Sequence, residues 1–247
     1  PSEDGAFYRT QPVFRLPIFQ TAQGPTPIPQ QFPVKKKPGT YRIFVFGGSA
    51  ADGFPASSFS FSRMLERFLS HRYPTTRFEV INTAMDAVNS FLVYEVAREC
   101  AGYQPDLCIV YAGNNEVVGP FGPATVFSNF CPSLTMIRLS IRLRSTRFGQ
   151  LLRNALLSLK KPLGEKQGNA KGMMELFAGE RVRPSDPRIE RVYEHFRRNL
   201  LDIIRIARGA GAKVILCTVA TNVRQCAPFA SMHRADLSDR ELQRWKS

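Results

Sequence analysis

A chain of 247 residues, 43% hydrophobic and 22% charged, has enough apolar material for one sizeable core and is too balanced for a disordered polymer. It holds no run of about 18 apolar residues, so no segment reads as a bilayer span, and its polar opening lacks the apolar stretch of a secretory leader. The net charge of +14 (34 basic against 20 acidic residues) calls for an anionic partner to be considered.

The first 40 residues are rich in Pro, Gln and Phe, which excludes a long helix. They read as an extended N-terminal arm anchored by Phe7, Phe14, Phe19 and Phe32, or as a disordered leader. From Tyr41 an α/β rhythm begins. A β-branched and aromatic run at 41–46 enters a glycine turn as a buried strand. Helical spacing of Phe61, Met64, Leu65, Phe68 and Leu69 predicts an amphipathic helix over 58–73. A strand is expected at 77–81, a helix at 89–102 closed by Gly102, and a nearly all-apolar strand at 106–111. Residues 120–185 interrupt the rhythm and read as a helical insertion, longer than the usual connection of about 2–6 residues. A strongly amphipathic helix at 187–209 and a fourth strand at 213–218 follow.

Strands alternating with helices predict a parallel sheet covered on both faces, with the strand C-termini along one ligand-binding edge. Residues 41–247 then form one domain. The cysteines Cys100, Cys108, Cys131, Cys217 and Cys226 show no CxxC spacing, which argues against zinc or a dense disulfide framework. Cys108 and Cys217 read as small hydrophobes in strand-like runs. No cofactor motif accompanies them: the glycine turn lacks both GxGxxG and GxxxxGK[ST].

Three segments after strands carry candidate chemistry. In Gly47-Gly48-Ser49-Ala50-Ala51-Asp52-Gly53, a serine between strand and helix can project its hydroxyl from a sharp turn, as a nucleophile or as part of a structural turn. In the segment from Asn82 to Ser90, small residues leave backbone N–H groups free to face a cleft, while Asn89 or Ser90 suits a helix N-cap. In Gly113-Asn114-Asn115-Glu116, an Asn amide can donate to a developing oxyanion, or the run can be turn chemistry.

In this order the three segments resemble the blocks of the SGNH/GDSL hydrolase family, and in particular a bacterial branch with GGS, NxAM and GxNE variants. The resemblance implies a flavodoxin-like, three-layer α/β/α fold and a serine ester hydrolase or acyltransferase acting on an acyl ester. It puts Ser49 on the nucleophile, with Gly48 in place of the usual Asp. Ala87 falls on the backbone N–H, and Asn115 on the amide, of the oxyanion hole. Gly48, Gly113 and His233 are assigned to substrate contact. Members of that branch often carry an upstream membrane anchor, which implies a membrane-anchored or periplasmic setting in a bacterium.

The family's last block, DxxH, supplies the base that activates the serine. Of His71, His195 and His233, none has an Asp three residues before it. His71 and His195 read as solvated helix histidines, and His233 as a residue near the active edge. The chain begins with Pro1, and both ends are read as cuts, so the C-terminal strand and DxxH block are expected beyond Ser247. The alternative is a non-catalytic pseudo-hydrolase serving as a scaffold or a membrane- or partner-binding subunit.

Within the insertion, residues 133–163 hold Arg138, Arg142, Arg144, Arg147, Arg153, Lys160 and Lys161 and no acid. Interleaved with Met136, Ile137, Leu139, Ile141 and Leu143, they suit an anionic membrane surface, a lid, a protein partner or a solvated face. Nucleic acid ranks below these, because no nucleic-acid-binding motif accompanies the charge.

Overall fold

The computed structural model describes residues 5–10, 28–53, 56–125, 133–149, 151, 182–220, 224, 234 and 236–246. Its centre is a four-stranded parallel sheet formed by β3 (Thr40–Gly47), β4 (Arg77–Asn82), β5 (Leu107–Tyr111) and β6 (Lys213–Leu216). The spatial order is β4-β3-β5-β6. Numbered by their place in the sheet's chain order this is 2-1-3-4, the beginning of the flavodoxin-like arrangement, with its switch point between β3 and β5. Register is set by pairs such as Val45 with Asn82 and Phe46 with Val110.

Alternation along β3 divides the core into two. Phe44 and Phe46 face one side with Cys108 and Val110 of β5, packed under helices α3 (Ser90–Cys100), α4 (Leu134–Ser145) and α5 (Pro187–Gly209). Ile43, Val45 and Ile109 face the other side, covered by Phe61, Leu65 and Leu69 of α2 (Phe61–Arg72). Helices therefore lie on both faces of the sheet, giving the expected three-layer α/β/α architecture. α1 (Ser49–Asp52) is a single turn after β3, and α6 (Asp239–Lys246) is the last described helix.

The N-terminal arm is more ordered than a simple extended strap. β1 (Phe7–Arg9) and β2 (Gln31–Pro33) pair antiparallel. Tyr8 and Phe32 stack toward Tyr103, with Phe32 edge-on to Phe44. Beneath them Arg42 is fully buried. Its guanidinium donates to Glu79 at 2.9 Å, to the Tyr103 carbonyl at 2.7 Å and to the Pro33 carbonyl at 2.9 Å, and it lies over the Phe32 ring. Phe14 and Phe19 lie outside the described residues.

Several expectations are corrected. The helix expected over 58–73 is split into a 3₁₀ turn, Ser57–Phe59, and α2, because Ser60 adopts extended backbone at the cap. Its apolar face is narrower than read: Met64 and Phe68 are 48% and 72% exposed. The helix expected at 89–102 ends at Cys100 and tightens into a 3₁₀ turn, Ala101–Tyr103; the left-handed residue that closes it is Gln104, not Gly102. β6 ends at Leu216, leaving Cys217 half-buried just past the strand. His195 is not solvated: it is buried, with its ring 5.7 Å from that of Phe91. His71 is exposed at the end of α2.

α4 supplies helical structure in the middle of the insertion, while residues 152–181 lie outside the described set. α5 is launched by Asp186, whose carboxylate accepts from the Arg188 N–H at 2.8 Å, and by Pro187 in the first turn. Among the described residues no helix is long and apolar enough to cross a membrane.

Candidate active site

Because the sheet is parallel, the segments after β3, β4 and β5 share one edge, on both sides of the switch point. Ser49 opens α1 directly after Gly48, whose backbone is extended. The close approach is visible at Gly48: a Cβ there would lie 2.9 Å from Asn115 Nδ2, so any side chain would have to displace that amide. The amide of Asn115 is thus packed against the residue preceding Ser49. One of its hydrogens goes to the Val88 carbonyl at 2.9 Å, which leaves the other available.

Ala87 adjoins that carbonyl and carries φ 56°, the left-handed region that glycine enters freely and alanine enters at a cost of roughly 1–2 kcal/mol. Such strain persists only where the surroundings enforce it. Here they do: Val88 is tied to Asn115, Met85 N–H donates to the Gly47 carbonyl, and Asn89 Nδ2 donates to the Pro120 carbonyl at 2.7 Å. Asn89 is therefore the N-cap of α3 by position only; its side chain ties two loops together rather than capping the helix. Among the described residues, the N–H groups of Ser49 and Ala87 have no hydrogen-bond acceptor.

The third segment is anchored from below. Glu116 is buried, and its carboxylate accepts from the Ser90 N–H at 2.8 Å and the Ser90 hydroxyl at 2.7 Å. Ser90 Oγ accepts from Asn199 Nδ2 at 2.9 Å, and Asn199 Oδ1 accepts from Arg138 at 2.7 Å. Burial pushes the Glu116 carboxyl up to about 7, against the lowering effect of the two Ser90 bonds. This chain fixes the Asn115 loop to the start of α3.

Two further carboxylates flank the serine. Burial, and then the charge of Asp86, raises Asp52 to about 6; burial also raises Asp86. Each has one buried oxygen with no partner among the described residues. Asn82 braces the turn between them, donating to the Ala51 carbonyl at 2.9 Å and accepting from the Ala84 N–H.

Ser49, Gly48, Ala87 and Asn115 therefore lie on adjoining, mutually hydrogen-bonded segments. Gly113, at φ 142°, turns its open side toward Phe196 and Val219. His233 lies outside the described residues, and Ser49 has no histidine partner among those described. No group of three or more His, Cys, Asp or Glu among the described residues is placed to hold a metal ion. The anchoring by Asn82, Ser90 and Asn199 runs through contacts distant in sequence. Asn199 had a visible signal, since it falls with His195 on the apolar stripe of Val192 and Ile203.

No family model matches the chain, and no curated protein matches it. Among solved structures it is similar to the acetyl xylan esterase AlAXEase, at 12% identity over 71% of this chain and 76% of that one, TM-score 0.34. It is also similar to AlinE4, an SGNH-hydrolase family esterase, at 18% identity over 73% and 77%, TM-score 0.30. A family 3 carbohydrate esterase of Clostridium thermocellum aligns at 13% identity over 72% and 77%, TM-score 0.29. Likeness at this level says nothing about substrate or mechanism, which rest on the residues described above.

Proposed function

We propose that this protein is a serine ester hydrolase or acyltransferase with Ser49 as nucleophile. The observation that carries the reading is the packing of the Asn115 amide against Gly48, immediately before Ser49 and beside the strained Ala87. In the proposed reaction Ser49 Oγ attacks the carbonyl carbon of an acyl ester while a base takes the hydroxyl proton. The oxyanion that forms accepts from the N–H groups of Ser49 and Ala87 and from Asn115 Nδ2. Collapse releases the alcohol, which takes the proton back from the base, and water or a second alcohol then removes the acyl group.

The base comes from outside the described residues. The family resemblance assigns it to a DxxH pair beyond Ser247. The outer edge of β6 suits one more strand: Ile215 and Leu216 are each 49% exposed there. His233 is the competing source. Turnover of an activated ester by the full-length protein tests the site: Asn115→Ala is expected to lower it by about 10²–10³, with the fold intact by circular dichroism. A loss of less than threefold removes Asn115 from the mechanism. Loss of turnover on His233→Ala assigns the base to this chain instead of to DxxH. No turnover in the folded full-length protein favours the non-catalytic scaffold.

A further inference from the structure

On the sheet face covered by α3, α4 and α5, α4 and α5 leave between them a groove of about 530 Å³. Four guanidinium groups line it, those of Arg138, Arg142, Arg198 and Arg205, against the single carboxylate of Asp202. Arg138 is paired with Asp202 at 2.8 Å and lies 3.9 Å from the centre of the Tyr94 ring, forming the fixed floor. Arg198 reaches out of the lining to Glu194 at 2.7 Å, and Arg205 also pairs with Asp202. Arg142 has no ion pair among the described residues and is exposed. The groove therefore keeps an excess of positive charge after its internal pairs are counted.

Helix α4 buries Ile137 and Ile141, spaced four apart, against the core. A second apolar stripe, Met136, Leu139 and Leu143, spaced three and four apart, faces outward and is 64%, 55% and 52% exposed. Just past the end of α4, Phe148 and Leu151 are also 73% and 68% exposed, close in sequence to Arg147. A core-packing helix does not need this second stripe. Arginines beside exposed leucines and a phenylalanine match an interfacial segment, whose apolar side enters the headgroup boundary while cations meet lipid phosphates.

We infer that the α4–α5 groove, with the outer stripe of α4, docks the protein on an anionic phospholipid surface. Lipid phosphate is received by Arg142 and its neighbours in the groove, and Leu139 and Leu143 enter the interface. Tyr94, in the groove wall, lies one turn of α3 from Ser90, about 6 Å along the helix. Docking here therefore brings the start of α3, at the strand C-terminal edge, toward the lipid surface. The inference does not depend on the ester-hydrolase reading.

Co-sedimentation of the purified full-length protein with vesicles tests it directly. Binding to phosphatidylcholine vesicles containing one quarter phosphatidylglycerol is expected, with at least about tenfold weaker binding to phosphatidylcholine alone. Arg142→Gln should weaken binding to the anionic vesicles about fivefold. The pair Leu139→Asn and Leu143→Asn should weaken it as well although the charge is unchanged. Arg67→Gln, on α2 across the sheet, should leave it unchanged. Each variant's fold is checked by circular dichroism. Equal binding to both vesicle types, no binding, or binding indifferent to Leu139 and Leu143 overturns the inference. Release from the vesicles by inorganic phosphate at constant ionic strength would also overturn it, assigning the groove to a soluble anion.

Discussion

At the strand N-termini, cations and carboxylates near the sheet are paired, although Glu79 Oε1 and Thr40 Oγ1 are buried with no hydrogen-bond partner among the described residues. Arg42 is buried with every side-chain nitrogen engaged, Glu79 answers it, and Lys36 meets both oxygens of Asp106 at 2.7 Å. Asp106 also accepts from the Arg42 N–H. At the strand C-termini the difference is that the carboxylates of Asp52, Asp86 and Glu116 have no cation paired with them among the described residues. Asp52 and Asp86 keep unpartnered buried oxygens, Glu116 is buried with no cation in contact, and Ala87 holds a left-handed backbone. Proteins tolerate such unfavourable arrangements where function requires them. The contrast supports the proposal that the strand C-terminal end holds the site, independently of any relative.

The largest expected effect tests the structural end. Arg42→Ala leaves Glu79 buried and opens the bonds to Tyr103 and Pro33, so it should cost about 3–5 kcal/mol of stability in a denaturant titration. If the loss is below 1 kcal/mol, this end does not carry the stability assigned to it.

Glu116 comes next and sharpens the other side. Its folded value of about 7 lies above the ordinary 4.5, so between these values the folded protein binds the extra proton. Stability contributed by the protonated form is therefore lost as pH rises from 4.5 through 7, by roughly 3 kcal/mol in total. Glu116→Gln should flatten that part of the Tm-against-pH curve and gain most relative to wild type near pH 8. A curve with unchanged slope would show that the carboxyl is not buried at this cost.

The smallest effect concerns the backbone. Ala87→Gly should relieve the left-handed strain and, after glycine's greater freedom in the unfolded chain, still stabilise by about 0.5–1 kcal/mol. Destabilisation would show that the strain is absent.

These two ends were unequally legible in the sequence. The strands at 41–46 and 106–111 stand out as nearly continuous apolar runs, and that at 77–81 by its β-branched and aromatic residues between polar ones. The positions of Ser49 and Asn115 followed, since each comes immediately after such a run. Helix faces were harder. Met64 and Phe68 fit the period of α2 yet face outward, because the sheet accommodates only the Phe61, Leu65 and Leu69 row. His195 differs for the opposite reason: its polarity suggests solvent, whereas the helix turns it toward Phe91. The link from Asn199 to Ser90 spans 109 residues, and no local pattern encodes a contact at that separation.

The central claim is the proposed one, that Ser49 is the nucleophile and Asn115 an oxyanion donor. Labelling the full-length protein with a fluorophosphonate probe and mapping the adduct by peptide mass spectrometry tests this most directly. The account predicts an adduct on Ser49, abolished in Ser49→Ala and slowed about 10²–10³-fold in Asn115→Ala. An adduct confined to another serine, or a folded protein that takes up no probe at Ser49, would contradict it.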